Sequence, residues 1–315
     1  MRLSPPAIGL ICALITIATW TTFITVSRAM ADRNLLPLDV MLLRFSFAAL
    51  ILLPWGWLIC RSRPGRPAWL GLSPLTFRTS AVLGLLGGWG FALPAYHAFL
   101  LAPASHASVL MPGTLPLWSA IFAVLLIGEH LSRQRLIGLA LVLSGALMVG
   151  GNSLLKALDG GTVWIGDLLY MCAPFCWAIF GSLCRRWKIP AVDATIAMIV
   201  FSLVSYAPLY VGLVLLGVLP SGLGRAPWGE ILLQGSLQGI LAVAVAGITY
   251  VKMTEIFGSV RSSMMTAVVP GLAATSAIVF LGEPFSWNIA AGLLGVTLGI
   301  IVGVRSSAGA RPRPV

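Results

Sequence analysis

Apolar residues run along this chain in blocks of about twenty residues, apolar on every helical face, and short stretches between them carry nearly all the charge. A hydrocarbon layer about 30 Å thick takes about 20 residues of α-helix to cross, so each block predicts a membrane-spanning helix. The blocks cover residues 7–28, 37–60, 80–101, 105–127, 134–152, 163–184, 194–218, 234–256, 259–281 and 286–304. Their short connections leave no room for a separate soluble domain. A transmembrane β-barrel would instead show stretches of about ten residues alternating apolar and polar. The expected fold class is therefore an all-α polytopic membrane protein with ten transmembrane helices. Ala29-Met30-Ala31 after the first block resembles a signal-peptide cleavage site. That block is longer than a typical signal core and its only basic start is Arg2, so it reads as a retained span.

Composition sharpens this picture. Hydrophobic residues make up 58% of the chain and charged ones 9%, where a soluble domain carries about 25% charged residues. The net charge of +11 raises the question of a nucleic-acid partner, and the placement of the charges answers it. With the N-terminus inside, fifteen of the twenty basic residues fall on the cytoplasmic side: Arg2, Arg61, Arg63, Arg66, Arg78, Arg133, Arg135, Arg185, Arg186, Lys188, Lys252, Arg261, Arg305, Arg311 and Arg313. Four fall opposite (Arg28, Arg33, Lys156 and Arg225), and Arg44 lies within a span. Such asymmetry is the positive-inside rule. It predicts both termini in the cytoplasm and the lipid bilayer, not nucleic acid, as the partner of the basic charge. Cys12, Cys60, Cys172, Cys176 and Cys184 lie within or at the ends of spans. No third ligand type stands beside Cys172 and Cys176, so they read as core packing, with no metal and no cofactor implied.

The chain repeats itself. An offset of 154 relates Pro116 to Pro270, Gly128-Glu129 to Gly282-Glu283, Ser132 to Ser286, Gly138 to Gly292 and Gly145 to Gly299, and also Tyr96 to Tyr250, Ser105 to Ser259 and Ser108 to Ser262. Trp20 and Trp177 match at 157, as a change in loop length would produce. Because five spans is an odd number, the second half must enter the membrane from the other side. Two inverted five-helix repeats result, over 7–152 and 163–304, followed by a cytoplasmic tail over 305–315. Inverted repeats are a recurring plan of secondary transporters, with the substrate site near the midplane where the halves meet.

These residues also resemble a known family. Trp20, Arg44 and the duplicated Pro116…Gly128-Glu129…Gly138…Gly145 run are similar to the EamA-type branch of the drug/metabolite transporter superfamily over nearly the whole length. The resemblance implies a central cavity lined by helices 1, 3, 4, 6, 8 and 9, and export of metabolites, amino acids among them, across the bacterial inner membrane. Thr21-Thr22 after Trp20 departs from the family's pattern, where a glycine is common.

Candidate substrate-binding residues follow from polarity inside the spans. Trp20 and Trp177 offer flat walls for a substrate, or simply pack between helices. Tyr96, His97 and Tyr250 are polar groups away from helix ends and should face protein or a water-filled cavity. His97 titrates nearest neutral pH and is the first candidate for proton coupling; bonding to a carbonyl is its ordinary alternative. Pro116 and Pro270 free the carbonyls of Pro112 and Thr266, which allows a hinge or a static kink. Ser108, Thr114, Trp118 and Thr266 share those two helices as cavity neighbours. Glu129 and Glu283 read as anchors at helix ends, with Glu129 near Arg133 and Arg135. Arg44 lies roughly 10 Å from the outer end of helix 2, at about 1.5 Å per residue. It either attracts an anion such as a carboxylate or bonds carbonyls or Asp39 of its own helix; the peripheral place expected for helix 2 favours the structural role.

Three function classes meet these features differently. A secondary carrier for a small-molecule substrate, working as a monomer by alternating access, matches the repeat. A membrane-embedded lipid-processing enzyme would want clustered His, Asp, Glu or Cys, and a lipid flippase is the neighbouring transport alternative. A channel would want rings of like charge or filter carbonyls. No nucleotide-binding loop of the GxxxxGK[ST] type occurs, so ATP-driven pumping by this chain is not expected.

Overall fold

The computed structural model describes residues 4–29, 33–65, 68–102, 104–156, 161–266, 268–282 and 287–305. These residues are helical almost throughout, with no strand beyond one isolated bridge between Trp69 and Ser73. The helices are α1 (Pro5–Ala29), α2 (Pro37–Ser62), α3 (Phe77–Leu101), α4 (Ala104–Phe122, continued by a π-helical turn over Ala123–Ile127) and α5 (Arg133–Lys156). Then come α6 (Val163–Arg186), α7 (Ala191–Leu215), α8 (Trp228–Phe257), α9 in two pieces (Ser259–Thr266 and Val269–Leu281) and α10 (Trp287–Arg305). Among the described residues eight helical runs are long and apolar enough to cross a membrane, and Ala290–Gly299 in α10 is a shorter apolar stretch. Large apolar side chains such as Leu14, Leu50, Leu125, Leu215 and Phe280 stand exposed on the outside, as a lipid-facing surface requires. This is a multi-pass membrane protein.

Polar residues close the helix ends, because the first amides of a helix have no partner within it. Asp39, wholly buried at the start of α2, accepts from the backbone amides of Leu36 (2.8 Å) and Gly222 (2.8 Å), from Ser221 Oγ (2.9 Å) and from Tyr210 Oη. Glu255 accepts from the Ala191 amide at the start of α7 (2.7 Å), and Glu230 from the Leu35 amide (3.2 Å) and Asn34 Nδ2 (3.1 Å). At the opposite kind of end, the duplicated Gly-Glu pairs acquire a physical reason. Gly128 (φ +76°) stops the π turn of α4 in the left-handed region and donates to Ala123 and Val124, and Gly282 (φ +67°) follows α9 in the same conformation, where side chains cost about 1–2 kcal/mol. Glu129 pairs with Arg185 at the end of α6, an anchor to a helix of the other half; Glu283 lies outside the described residues.

Helix contacts follow the repeat. α3 packs on α6 and α8 on α1; α4 packs on α6 and α9 on α1; α2 packs on α8 and α7 on α3. Renumbering each helix by five exchanges the members of each of these three pairings, and the α2–α7, α4–α9 and α5–α10 contacts map onto themselves. At the α5–α10 crossing the two backbones nearly touch. A methyl on Gly145 would stand 2.5 Å from the Gly292 carbonyl oxygen, and one on Gly299 would stand 2.5 Å from that of Gly138. Small residues let helix backbones approach in lipid, where packing rather than the hydrophobic effect holds helices together.

α3 and α8 both contain π-helical segments, Gly84–Trp89 and Gly235–Val245. The glycines that open them repeat at an offset of 151 (Gly84 with Gly235, Gly88 with Gly239), yet Tyr96 and Tyr250 beyond them repeat at 154. The longer, wider-wound segment of α8 absorbs the three extra residues. The matched prolines behave differently. α4 runs unbroken through Pro112 and Pro116, whereas α9 resumes at Val269 beside Pro270 after the first piece ends at Thr266.

Candidate functional site

α1 places Trp20, Phe23 and Ile24 on one face near its middle; α6 places Pro174 and Trp177 opposite, one turn apart. Between them lies a cavity closed by Arg44 of α2, Phe91 of α3, Met111, Pro112 and Leu115 of α4, and Ala242 of α8. Its volume is about 40 Å³, small beside an organic metabolite. Helix 2 therefore lines the cavity through Arg44, and α9 supplies no residue to it among the described residues. This differs from the lining expected from resemblance, because Gly239 lets α8 press against α2 so closely that a methyl there would stand 2.8 Å from the Arg44 carbonyl oxygen.

Aromatic rings brace the cavity wall. Trp20 stacks on Tyr250 (centroids 5.3 Å apart, 27° between planes) and meets Trp177 edge-on (6.4 Å, 70°). Trp177 also packs on Phe91 (5.6 Å), Tyr250 (5.7 Å) and Phe180 (4.9 Å). The duplicated tryptophans and one of the duplicated tyrosines thus form one cluster across the two halves. Trp177 is only 3% exposed, and its indole N–H has no hydrogen-bond partner.

Arg44 is 3% exposed. Its guanidinium carbon sits 5.1 Å from the Phe91 ring centroid, and it interacts with the Tyr96 hydroxyl. Asp39 is taken up by its own amide and hydroxyl donors, so the expected alternative of an Arg44–Asp39 pair does not form. Tyr96 Oη donates to Gln238 Oε1 (2.6 Å), and Gln238 Nε2 donates to Ser27 Oγ (2.7 Å) and Gln234 Oε1 (3.2 Å). This polar layer lines a second cavity of about 100 Å³, whose wall includes Arg33 and Leu35. A polar chain thus links the Arg44 side of the first cavity to the second.

The other candidates lie elsewhere. His97 Nδ1 bonds the Leu93 carbonyl of its own helix (2.8 Å) and borders neither cavity. Thr114 and Thr266 are buried and donate to the Leu110 (2.7 Å) and Ser263 (2.9 Å) carbonyls. Trp118 packs edge-on against Phe175 at 5.1 Å. Ser108 lies on α4, its side chain outside the described ones. Phe91, Gln238 and the wall-forming role of Arg44 were missed from sequence; Gln238, a lone amide within an apolar span, carried the one available signal. Among the described residues no group of three His, Cys, Asp or Glu stands ready for a metal.

The family model of the EamA-like transporters matches residues 7–151 and again residues 164–305. The chain belongs to the EamA-like transporter family. The transporter is 22% identical over 231 residues to the uncharacterized transporter YyaM of Bacillus subtilis (strain 168), covering 70% of each chain. It is 23% identical over 305 residues to an uncharacterized transporter of Clostridium kluyveri, covering 95% of this chain and 94% of that one. A solved crystal structure aligns with a TM-score of 0.63 at 20% identity, over 96% of this chain and 99% of its own, a likeness of fold.

Proposed function

We propose that this transporter is a secondary carrier which exports a small organic metabolite, of the kind amino acids represent, by alternating access. The observation that carries the reading is the cavity's position. Its walls come from both halves, and the repeated tryptophans Trp20 and Trp177 face each other there. A metabolite is several times larger than the water-sized space between them, so binding must spread walls that belong to different halves. Rocking of one half against the other does this and opens the site to alternate sides.

The reading takes the protein as ten spans in two inverted repeats, with both termini in the cytoplasm of a bacterial inner membrane. The α5–α10 crossing supports it. Gly138 meets Gly299 and Gly145 meets Gly292, so two helices equivalent in the repeat run antiparallel. The absence of a nucleotide-binding loop from the sequence fits a carrier driven by gradients. Every described carboxylate is engaged near a helix end, which favours facilitated export over coupling through a midplane acid.

The test is metabolite profiling of the medium around bacterial cells overexpressing the transporter, against Trp20→Ala and Tyr96→Phe at matched membrane levels. Enrichment of a metabolite class by the parent alone supports export through this cavity. Variants that transport as well as the parent would remove the site assignment, and accumulation inside the cells would reverse the direction.

A further inference from the structure

We propose that Arg44 is the anion-recognition residue of the central cavity, and that the transported metabolite is a small monocarboxylate with an apolar or aromatic body. The inference rests on reading this cavity as the transport site. It begins with the charges. Six of the nine acidic residues in the chain lie among the described residues, and each has another partner. Asp39, Glu230 and Glu255 hold backbone amides. Asp193 pairs with Arg63, Asp167 with His106 and Glu129 with Arg185. None pairs with Arg44. A buried charge without a counter-ion is costly, and inside a membrane it marks a functional position.

The groups around Arg44 compensate it only in part. A ring face and a neutral hydroxyl meet the guanidinium, which has five donors in a planar fork shaped for a carboxylate. Trp177 packs against the same Phe91 ring at 5.6 Å between centroids, and its buried indole N–H has no acceptor. The cavity wall therefore carries one fixed positive charge at Arg44, which no described carboxylate pairs, and an unpartnered indole N–H lies buried just behind the wall at Trp177.

The rest of the wall defines the body of that acceptor. Trp20, Phe23, Ile24, Met111 and Leu115 are hydrocarbon and ring surface. A dicarboxylate or a phosphorylated compound would set a second anionic group against this surface with nothing to pair it. A cation would meet Arg44 itself. One carboxylate carried on an apolar body satisfies both parts of the wall, and it leaves the occupied cavity without net charge.

The experiment uses the full chain in lipid nanodiscs and reads binding by intrinsic tryptophan fluorescence and thermal stabilisation. The probes are 3-phenylpropionate and 4-methylpentanoate, each compared with its own primary amide, which keeps the shape and removes the charge. A charge-assisted pair contributes about 10–100-fold in affinity, so acids should bind at least tenfold tighter than amides. Arg44→Gln should abolish that preference while leaving the amides unchanged. Should Arg44→Gln fail to fold, Arg44→Lys keeps the charge but loses the fork and should give an intermediate preference; the comparison on the parent still decides. Amides that bind as well as acids, absence of binding by every acid, or a preference that survives Arg44→Gln would each overturn the proposal. Profiling of the medium separates it from the broader reading. Export of neutral or cationic compounds would remove the carboxylate while the carrier stands. Acid binding that requires Arg44, with nothing moved across the membrane, would remove the carrier while the site stands.

Discussion

Gly145→Ala tests the pairing of the two halves where α5 crosses α10. The added methyl would stand 2.5 Å from the Gly292 carbonyl oxygen and 2.8 Å from the Val296 amide nitrogen, both backbone atoms, where ordinary contact begins near 3.4 Å. Neither atom can turn aside, so α5 and α10 must separate by up to about 0.9 Å. An opening of 0.5–1 Å forfeits about a quarter to a half of the dispersion energy of each atom pair, so about twenty pairs at about 0.15 kcal/mol lose about 1 kcal/mol. Displaced backbone brings the cost into the range of about 1–3 kcal/mol found for overpacking, and the better helix propensity of alanine returns somewhat under about 1 kcal/mol. The expected net loss is about 1–2 kcal/mol. Gly299→Ala meets the Gly138 carbonyl oxygen at the same 2.5 Å and should cost the same. The double variant should cost less than the sum, because helices already parted for one methyl have made room for the other. Gly212→Ala on α7, with nothing within 4 Å of the new methyl, is the control and should be neutral or slightly stabilising. Denaturant titration in mixed micelles, followed by tryptophan fluorescence, measures all four. Gly145→Ala and Gly299→Ala as stable as the control, or a cost confined to one of them, would refute the symmetric crossing.

Two further outcomes follow from the polar contacts. Asp39→Asn keeps one acceptor oxygen where four donors converge; it should lower stability by about 2–4 kcal/mol, since each buried donor left unpaired costs about 1–3 kcal/mol, and the same titration reads it. His97→Gln should leave the pH profile of transport unchanged, because the imidazole bonds its own helix and borders neither cavity; a profile shifted by the substitution, measured by flux into proteoliposomes, would restore His97 as a coupling group.

The fold was legible because in a bilayer one signal dominates. The backbone must satisfy its hydrogen bonds internally, so long apolar blocks mean helices, and the helices fall close to the predicted blocks. The repeat was legible through Gly128, Gly145, Gly282 and Gly299 because a left-handed backbone at two of them and close helix approach at the other two favour glycine there. The cavity was only half legible. Trp20 and Trp177 could be found since the repeat duplicates them, whereas Thr114, Trp118 and Thr266 share the right helices and turn to neighbours instead. Side-chain direction depends on helix rotation, and the π-helical segments of α3 and α8 shift that rotation in a way periodicity does not reveal.

Arg44 shows what sequence alone leaves open. From sequence its nearest partner was Asp39, five residues earlier, and an internal pair would have made it structural. Whether that pair forms turns on Tyr210, Ser221 and the Gly222 amide, residues more than 170 positions away that converge on Asp39 through the packing of α7 and the segment after it. Their donors occupy the carboxylate, and Arg44 is left facing a cavity of rings. A structural ion pair within one helix and a binding site between two halves therefore differ by contacts that only the folded chain brings together. The same contacts explain how a helix expected at the periphery comes to supply a positive charge to the cavity.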